Sequence, residues 1–233
     1  MIKGDIDFMD PWQRTRLLLK EDYKKIQELS VLVLGLGGVG SYVVEGLARL
    51  GVRKLILVDY DTIDRTNINR QIEALHSTIG LYKADILKER VQDIHPTCEI
   101  KVIKEKITPE NIDLLFLEDI DFLVDACDTV PVKKEIMKRC VKMGKKFILS
   151  MGTANKIDPT KLKIMDLKDT NYDPLAKILR KEARKEKIDA KIPVVSSSEI
   201  PIKTFENQLG SISFVPSVAG LLITSYITLE VLK

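Results

Sequence analysis

A chain of 233 residues, 45% hydrophobic and 30% charged, has the balance of a soluble globular protein with a real core, and a net charge of +3 gives no global nucleic-acid footprint. Three cysteines, Cys98, Cys127 and Cys140, stand far apart with no CxxC pair, which excludes a sequence-evident zinc site or disulfide framework and suits a reducing compartment. The opening MIKGDIDFMD is too acidic and broken for a signal peptide, so a cytoplasmic protein is expected.

Residues 1–29 read as an N-terminal helical segment that packs outside the domain or reaches a neighbour. An apolar run, Val31 to Leu34, then enters a glycine turn, a helical pattern follows to Leu50, and a second apolar run, Leu55 to Val58, stops at Asp59. Strand, glycine turn, helix, strand and terminal acid form a nucleotide-binding half-fold. Among Gly35, Gly37, Gly38 and Gly40, one makes the turn, one lets backbone approach phosphate, and one brings helix against strand. The helix N-terminus offers its amides to phosphate, and Asp59 accepts ribose hydroxyls. The motif leaves open which nucleotide binds, so a nicotinamide dinucleotide is not excluded at this point.

A polar loop, TIDRTNINRQIEALHS, precedes a helix from Lys83 to about Ile94. HPTCEIKVI turns into a third strand, Pro109 to Leu117 reads as a short helix, and Asp121 to Asp125 as a fourth strand ending on acid. A helix from Pro131 to Met143 and a strand from Phe147 to Ser150 complete a doubly wound parallel sheet over residues 30–150. The fold class expected is α/β, Rossmann-like, with residues 151–233 as a C-terminal embellishment of the same domain. That extension reads as a loop and one strand in MGTANKIDPTKLKIMDL, a charged helix from Pro174 to about Lys187, and two short strands in IPVVSSSEIP and GSISFVP. An uncharged stretch, Ile212 to Leu229, sits at the low limit for a membrane span, and a buried helix beginning after Pro216 is the favoured reading.

Ligands of such sheets bind beyond the carboxyl ends of the strands. Asp59 and Asp61 follow the second strand, Asn67, Asn69, Arg70 and Gln71 lie in its loop, Asp125 and Asp128 follow the fourth, and Lys83 reaches the same crevice. Cations and acids around a glycine turn suit a triphosphate with magnesium: phosphate takes an arginine fork and a lysine, and magnesium takes a carboxylate plus phosphate oxygens. No base stands out. His76 and His95 read as structural, and acids on either side of Cys127 make it a poor thiolate. Attack on the α-phosphate by a substrate already ionised, a carboxylate, needs no base.

GLGGVGS, VDYDTID, TNINRQ, GLYKADILKERVQDIHP and DACDT resemble the adenylating domain shared by ubiquitin-activating enzymes and the thiamine- and molybdopterin-pathway adenylyltransferases. Within that superfamily RTRLLL, SMGTANKIDPTKLKIMDL, DPLAK and FVPSVAGL resemble the tRNA threonylcarbamoyladenosine dehydratases. The resemblance implies ATP-dependent cyclodehydration of N6-threonylcarbamoyladenosine in tRNA through a carboxyl-adenylate, with AMP and pyrophosphate released. It implies that Gly35, Gly37, Gly38 and Gly40 wrap the phosphates, that Asp59 holds the ribose with Asp61 assisting, and that Asn67, Arg70 and Lys83 bind the triphosphate with Gln71 nearby. Asp128 serves magnesium and the transferring phosphate; Arg14, or its neighbour Arg16, is donated across a homodimer interface. Sulfur-transfer proteins are candidate partners. Adenylation of a ubiquitin-like sulfur carrier is the alternative, against which the missing zinc cysteine pairs count.

Lys177, Arg180, Lys181, Arg184, Lys185 and Lys187 fall largely at three- and four-residue spacing in the charged helix. One face is then positive enough for an RNA backbone, although Glu182 and Glu186 make a solvated helix an equal reading. The resemblance tips the choice toward tRNA. The short linker before GSISFVP implies a trimmed substrate-facing lid.

Overall fold

Continuous apolar runs, rather than alternating ones, belong to strands covered on both faces, and that is where the chain puts them. The computed structural model describes residues 10–233; residues 1–9, which carry most of the signal-peptide reading, lie outside the described residues. The strands are β1 (Ser30–Leu34), β2 (Lys54–Val58), β3 (Glu99–Ile103), β4 (Phe122–Asp125), β5 (Lys146–Ser150), β6 (Leu162–Asp166) and β7 (Pro193–Ser197). They form one seven-stranded sheet in the order β3-β2-β1-β4-β5-β7-β6, parallel except for β6 against β7. The chain winds outward from β1 to β3, then returns to β4 on the other side of β1. This reversal opens a crevice at the carboxyl ends of β1 and β4.

Seven α-helices flank the sheet among the described residues: α1 (Gln13–Leu19), α2 (Tyr23–Gln27), α3 (Gly40–Leu50), α4 (Lys83–Ile94), α5 (Val130–Met143), α6 (Pro174–Lys185) and α7 (Phe214–Val231). Strand alternation sorts the core into two layers. Val31, Val33, Leu55 and Leu57 pack with Val43 of α3, Leu87 of α4 and Ile223 of α7. Leu32, Leu34, Ile56 and Val58 face the other way, toward Ile136 of α5 and Leu179 of α6.

The N-terminal segment comes as two helices, with Lys20, at φ 53, between α1 and α2; two later expectations need correction. Both halves are fastened to the end of α3: the Tyr23 hydroxyl of α2 donates to Leu50 O at 3.0 Å, and the indole of Trp12, just before α1, to Arg49 O at 2.9 Å. The stretch Pro109 to Leu117 forms only a short 3-10 turn, Ile112–Phe116. GSISFVP makes no strand; α7 starts at Phe214, because Pro216 falls in its first turn, where a missing N–H loses no helical bond. α7 is long and apolar enough to cross a bilayer, but Val215, Ala219, Ile223 and Ile227 are buried in the core beside α3.

Candidate functional site

At the carboxyl edge of the sheet lies a cavity of about 870 Å³. Its floor is the turn after β1. Gly35 takes φ +83, and a Cβ there would stand 2.7 Å from the Cys127 amide nitrogen, so only glycine lets the turn after β1 nest against the loop after β4. Gly40 does different work. A Cβ on it would fall 1.8 Å from the Gly35 carbonyl oxygen, so its bareness lets α3 start directly behind the turn. Gly35, Gly37 and Gly38 line the cavity and Gly40 does not.

The loop after β2 supplies most of the charge. Asp59 is 8% exposed, and its carboxylate accepts from the Leu36 amide at 2.7 Å and the Asp61 amide at 2.8 Å. It therefore ties the β2 loop to the glycine turn, while each oxygen keeps a second lone pair for a hydroxyl. Lys83, buried at the start of α4, donates to Asp61 at 3.0 Å. Asn67 is buried in a capping box with Asp64, accepting from the Asp64 amide at 3.0 Å. The box fixes the 3-10 turn Arg65–Asn67, whose last carbonyl accepts from the Arg70 amide at 3.0 Å. One guanidinium nitrogen of Arg70 donates to Thr66 O and Asn69 Oδ1, both at 2.9 Å, and the stem of the side chain packs against Gly38. Gln71 is buried with Oε1 unpartnered. From β4 comes Asp128, exposed on the cavity wall. The geometry thus brings Gly35, Gly37, Gly38, Asp59, Asp61, Asn67, Arg70, Gln71, Lys83 and Asp128 to one cavity.

Other residues fall elsewhere. Arg14 is exposed on α1 and does not line this cavity; Arg16 is held by Asp10 at 3.0 Å and lies 4.9 Å from the Tyr23 ring centre. On α6, Lys177, Lys181, Arg184 and Lys185 are exposed, as is Lys187 beyond its end. Arg180 is a correction: it turns inward and donates to the Thr170 carbonyl at 2.8 Å and to the Thr170 hydroxyl, leaving the positive face to its neighbours. His95 stacks edge-on against Trp12 at 4.6 Å, and burial lowers its pKa; His76 lies outside the cavity. Burial, then Asp125, raises the Cys127 thiol far above the usual range. Cys98 and Cys140 are pushed by burial to about 11 and about 12.

Two features escaped the sequence reading. Glu73 is buried just behind the site with both carboxyl oxygens unpartnered, and burial pushes its pKa up to about 8 against the pull of Lys83. No local pattern flags it, since it sits in a loop that looks polar and exposed. The second feature is the opposite wall: Gly152, Thr153, Asn155 and Lys156 after β5, Asp173 and Pro174 at the start of α6, and Leu209 to Ser211 before α7. The rule that strand carboxyl ends carry ligands would have found the β5 loop, because it leaves the same edge as the glycine turn. The segment expected as a trimmed lid forms part of this wall. Asn155, at φ +58, clasps it by accepting from the Ile202 amide at 2.7 Å and the Gly210 amide at 2.6 Å, and by donating to Gly210 O at 2.8 Å.

Comparison with known proteins gives concordant results. The model of the ThiF family matches residues 13–232. A Bacillus subtilis protein, tRNA threonylcarbamoyladenosine dehydratase, is 41% identical over 231 residues, covering 92% of this chain and 91% of its own length. The protein of the same name from Escherichia coli is 33% identical over 180 residues, 75% of this chain and 67% of its length. Crystal structures of the E. coli tRNA N6-threonylcarbamoyladenosine dehydratase with AMP and with ATP superpose at TM-scores of 0.89 and 0.88, each 29% identical over 95% of both chains.

Proposed function

This chain belongs to the ThiF family, and from that premise we propose that it is an ATP-dependent tRNA threonylcarbamoyladenosine dehydratase. The observation that carries the reading is the meeting of Arg70, Lys83 and Asp128 with the glycine turn around one cavity. The names of the relatives, and the AMP and ATP complexes of the E. coli enzyme, supply the substrate.

In this reading the amides of the glycine turn and the start of α3 hold the phosphates, Asp59 takes the ribose hydroxyls, and Arg70 and Lys83 offset the triphosphate charge. Lys83 exchanges Asp61 for phosphate. Among the described residues no cluster of His, Cys, Asp or Glu could cage a metal ion. The donor set fits magnesium held by one carboxylate, Asp128, with phosphate oxygens completing its shell; bound there, the ion would supply charge neutralisation.

The threonyl carboxylate oxygen attacks the α-phosphorus, the bond to the β-phosphate breaks, and pyrophosphate leaves. The substrate's carbamoyl group then attacks the activated acyl carbon; the acyl–oxygen bond breaks, the carbamoyl N–H proton passes to the departing phosphate oxygen, AMP leaves and the ring closes. The product is the substrate less one water, whose oxygen departs in AMP. Neither step needs a basic residue to generate the nucleophile in the first place, which suits a cavity without histidine. The exposed cations of α6, which begins at the cavity wall, offer the tRNA backbone a track. Arg14 is presented to a second copy of the chain, completing the partner's cavity in a homodimer.

Incubating the protein with ATP and tRNA bearing threonylcarbamoyladenosine should give AMP, pyrophosphate and a nucleoside lighter by one water. ADP formation, or adenylation of a ubiquitin-like carrier with the nucleoside unchanged, would overturn the proposal.

A further inference from the structure

The wall opposite the nucleotide residues contains a buried cation that the roles above leave unused. Lys156 is 3% exposed. Its ammonium donates to the Gly152 carbonyl at 2.6 Å and lies a loose 3.4 Å from Asp173 Oδ2. A lysine ammonium has three protons to give, so one donor is unspent. Burying an ammonium is costly unless it is paired and fully bonded, and a methionine or leucine would fill the same space without that cost.

Asp173 does not explain the lysine. Its Oδ1 caps α6 through the Ala176 amide at 2.9 Å, and its Oδ2 accepts from the Gly152 amide at 2.9 Å. Those two bonds hold the β5 loop and the start of α6 together whether or not a cation stands beside them. The Asn155 clasp pins the loop from its other side. Lys156 is thus carried on a braced loop and contributes to the cavity wall.

Its place along the sheet gives its purpose. The ribose acid follows β2, the glycine turn β1, Asp128 β4 and the Lys156 loop β5, in the spatial order β2-β1-β4-β5. Two strand spacings, about 10 Å, separate the ends of β1 and β5. Lys156 therefore lies beyond the phosphate region from the ribose, where the group to be activated must approach.

We infer that Lys156 binds the carboxylate of the threonylcarbamoyl side chain. The inference rests on the dehydratase reading. The ammonium offsets the repulsion between that carboxylate and the triphosphate while leaving one carboxylate oxygen to attack the α-phosphorus. Once the acyl-adenylate has formed, the same N–H donates to its carbonyl oxygen, which takes up negative charge as the carbamoyl group adds.

The test uses two anticodon stem-loop RNAs, one carrying threonylcarbamoyladenosine and one its methyl ester, bound to protein in the presence of a non-hydrolysable ATP analogue. Wild type should favour the free carboxylate by about tenfold or more, an ordinary margin for a charge-assisted hydrogen bond. Lys156→Gln should bring that ratio near one with nucleotide affinity unchanged, and Lys156→Arg should keep most of it. A purely structural lysine would weaken both RNAs alike. An unchanged ratio in Lys156→Gln, or its loss in Lys156→Arg, overturns the inference; if Lys156→Gln does not fold, the arginine variant decides. With ATP in place of the analogue, wild type that leaves the modified nucleoside unaltered would instead remove the dehydratase reading on which the inference stands.

Discussion

The two walls of the cavity are built on opposite plans. On the nucleotide side, polar groups keep capacity in reserve: Gln71 Oε1 has no partner, Lys83 is held by a single carboxylate, and behind them both Glu73 oxygens are unpartnered. On the β5 side nearly every group is committed. Asp173 spends both oxygens on backbone amides, Asn155 clasps the far loop, and Glu199 takes the amides of Ile157 at 3.0 Å and Asp158 at 2.9 Å. A wall that must trade a protein carboxylate for phosphate keeps its lysine lightly held and leaves acceptors open to a nucleotide's N–H and O–H groups, whereas a wall that must present one group at a fixed point is braced.

The contrast can be broken from either side. Asp173→Ala should cost the most, about 3–5 kcal/mol in denaturant unfolding, because it removes a cap and strands Lys156 as a buried, unpaired charge. A loss under about 1 kcal/mol would mean that the β5 wall is not braced as described. Arg70→Ala should leave folding and tRNA binding intact and lower turnover by about 10²–10³-fold, as loss of one preorganised donor does. Stability falling in step with activity would place Arg70 in the frame instead.

Glu73→Gln should sharpen the picture through pH. A carboxyl whose folded pKa is raised to about 8 from 4.5 leaves the folded state holding the extra proton, so its favourable contribution is full below 4.5 and drains away as pH climbs to 8. The variant should lose that slope and gain roughly 4 kcal/mol at pH 8.5 relative to pH 5, read by denaturant titration at both. Parallel curves for variant and wild type would remove the buried-acid account. The smallest effect belongs to the α6 surface: Lys181→Ala should lower the salt dependence of tRNA binding by about one unit of slope and leave ATP affinity alone. No change in slope would take α6 off the RNA path.

How far each wall was legible follows from the same contrast. The nucleotide side is local: glycine turn, strand-terminal Asp59 and helix-opening Lys83 lie close to their elements in sequence, so spacing alone located them. The other wall is made by pairings far apart in the chain, Lys156 with Asp173 and Asn155 with Gly210, which no periodicity announces. Helical spacing put Arg180 on the basic face, but Thr170, ten residues upstream, draws it inward. Pro216 suggested a helix start just after itself, yet a proline is equally at home inside the first turn, and α7 starts at Phe214.

The central claim is that a substrate carboxylate attacks the innermost phosphorus of ATP. It is tested most directly with tRNA whose threonyl carboxylate carries heavy oxygen. The account predicts one labelled oxygen in the AMP released with each cyclised nucleoside. Label in inorganic phosphate beside ADP, or AMP free of label, would contradict it.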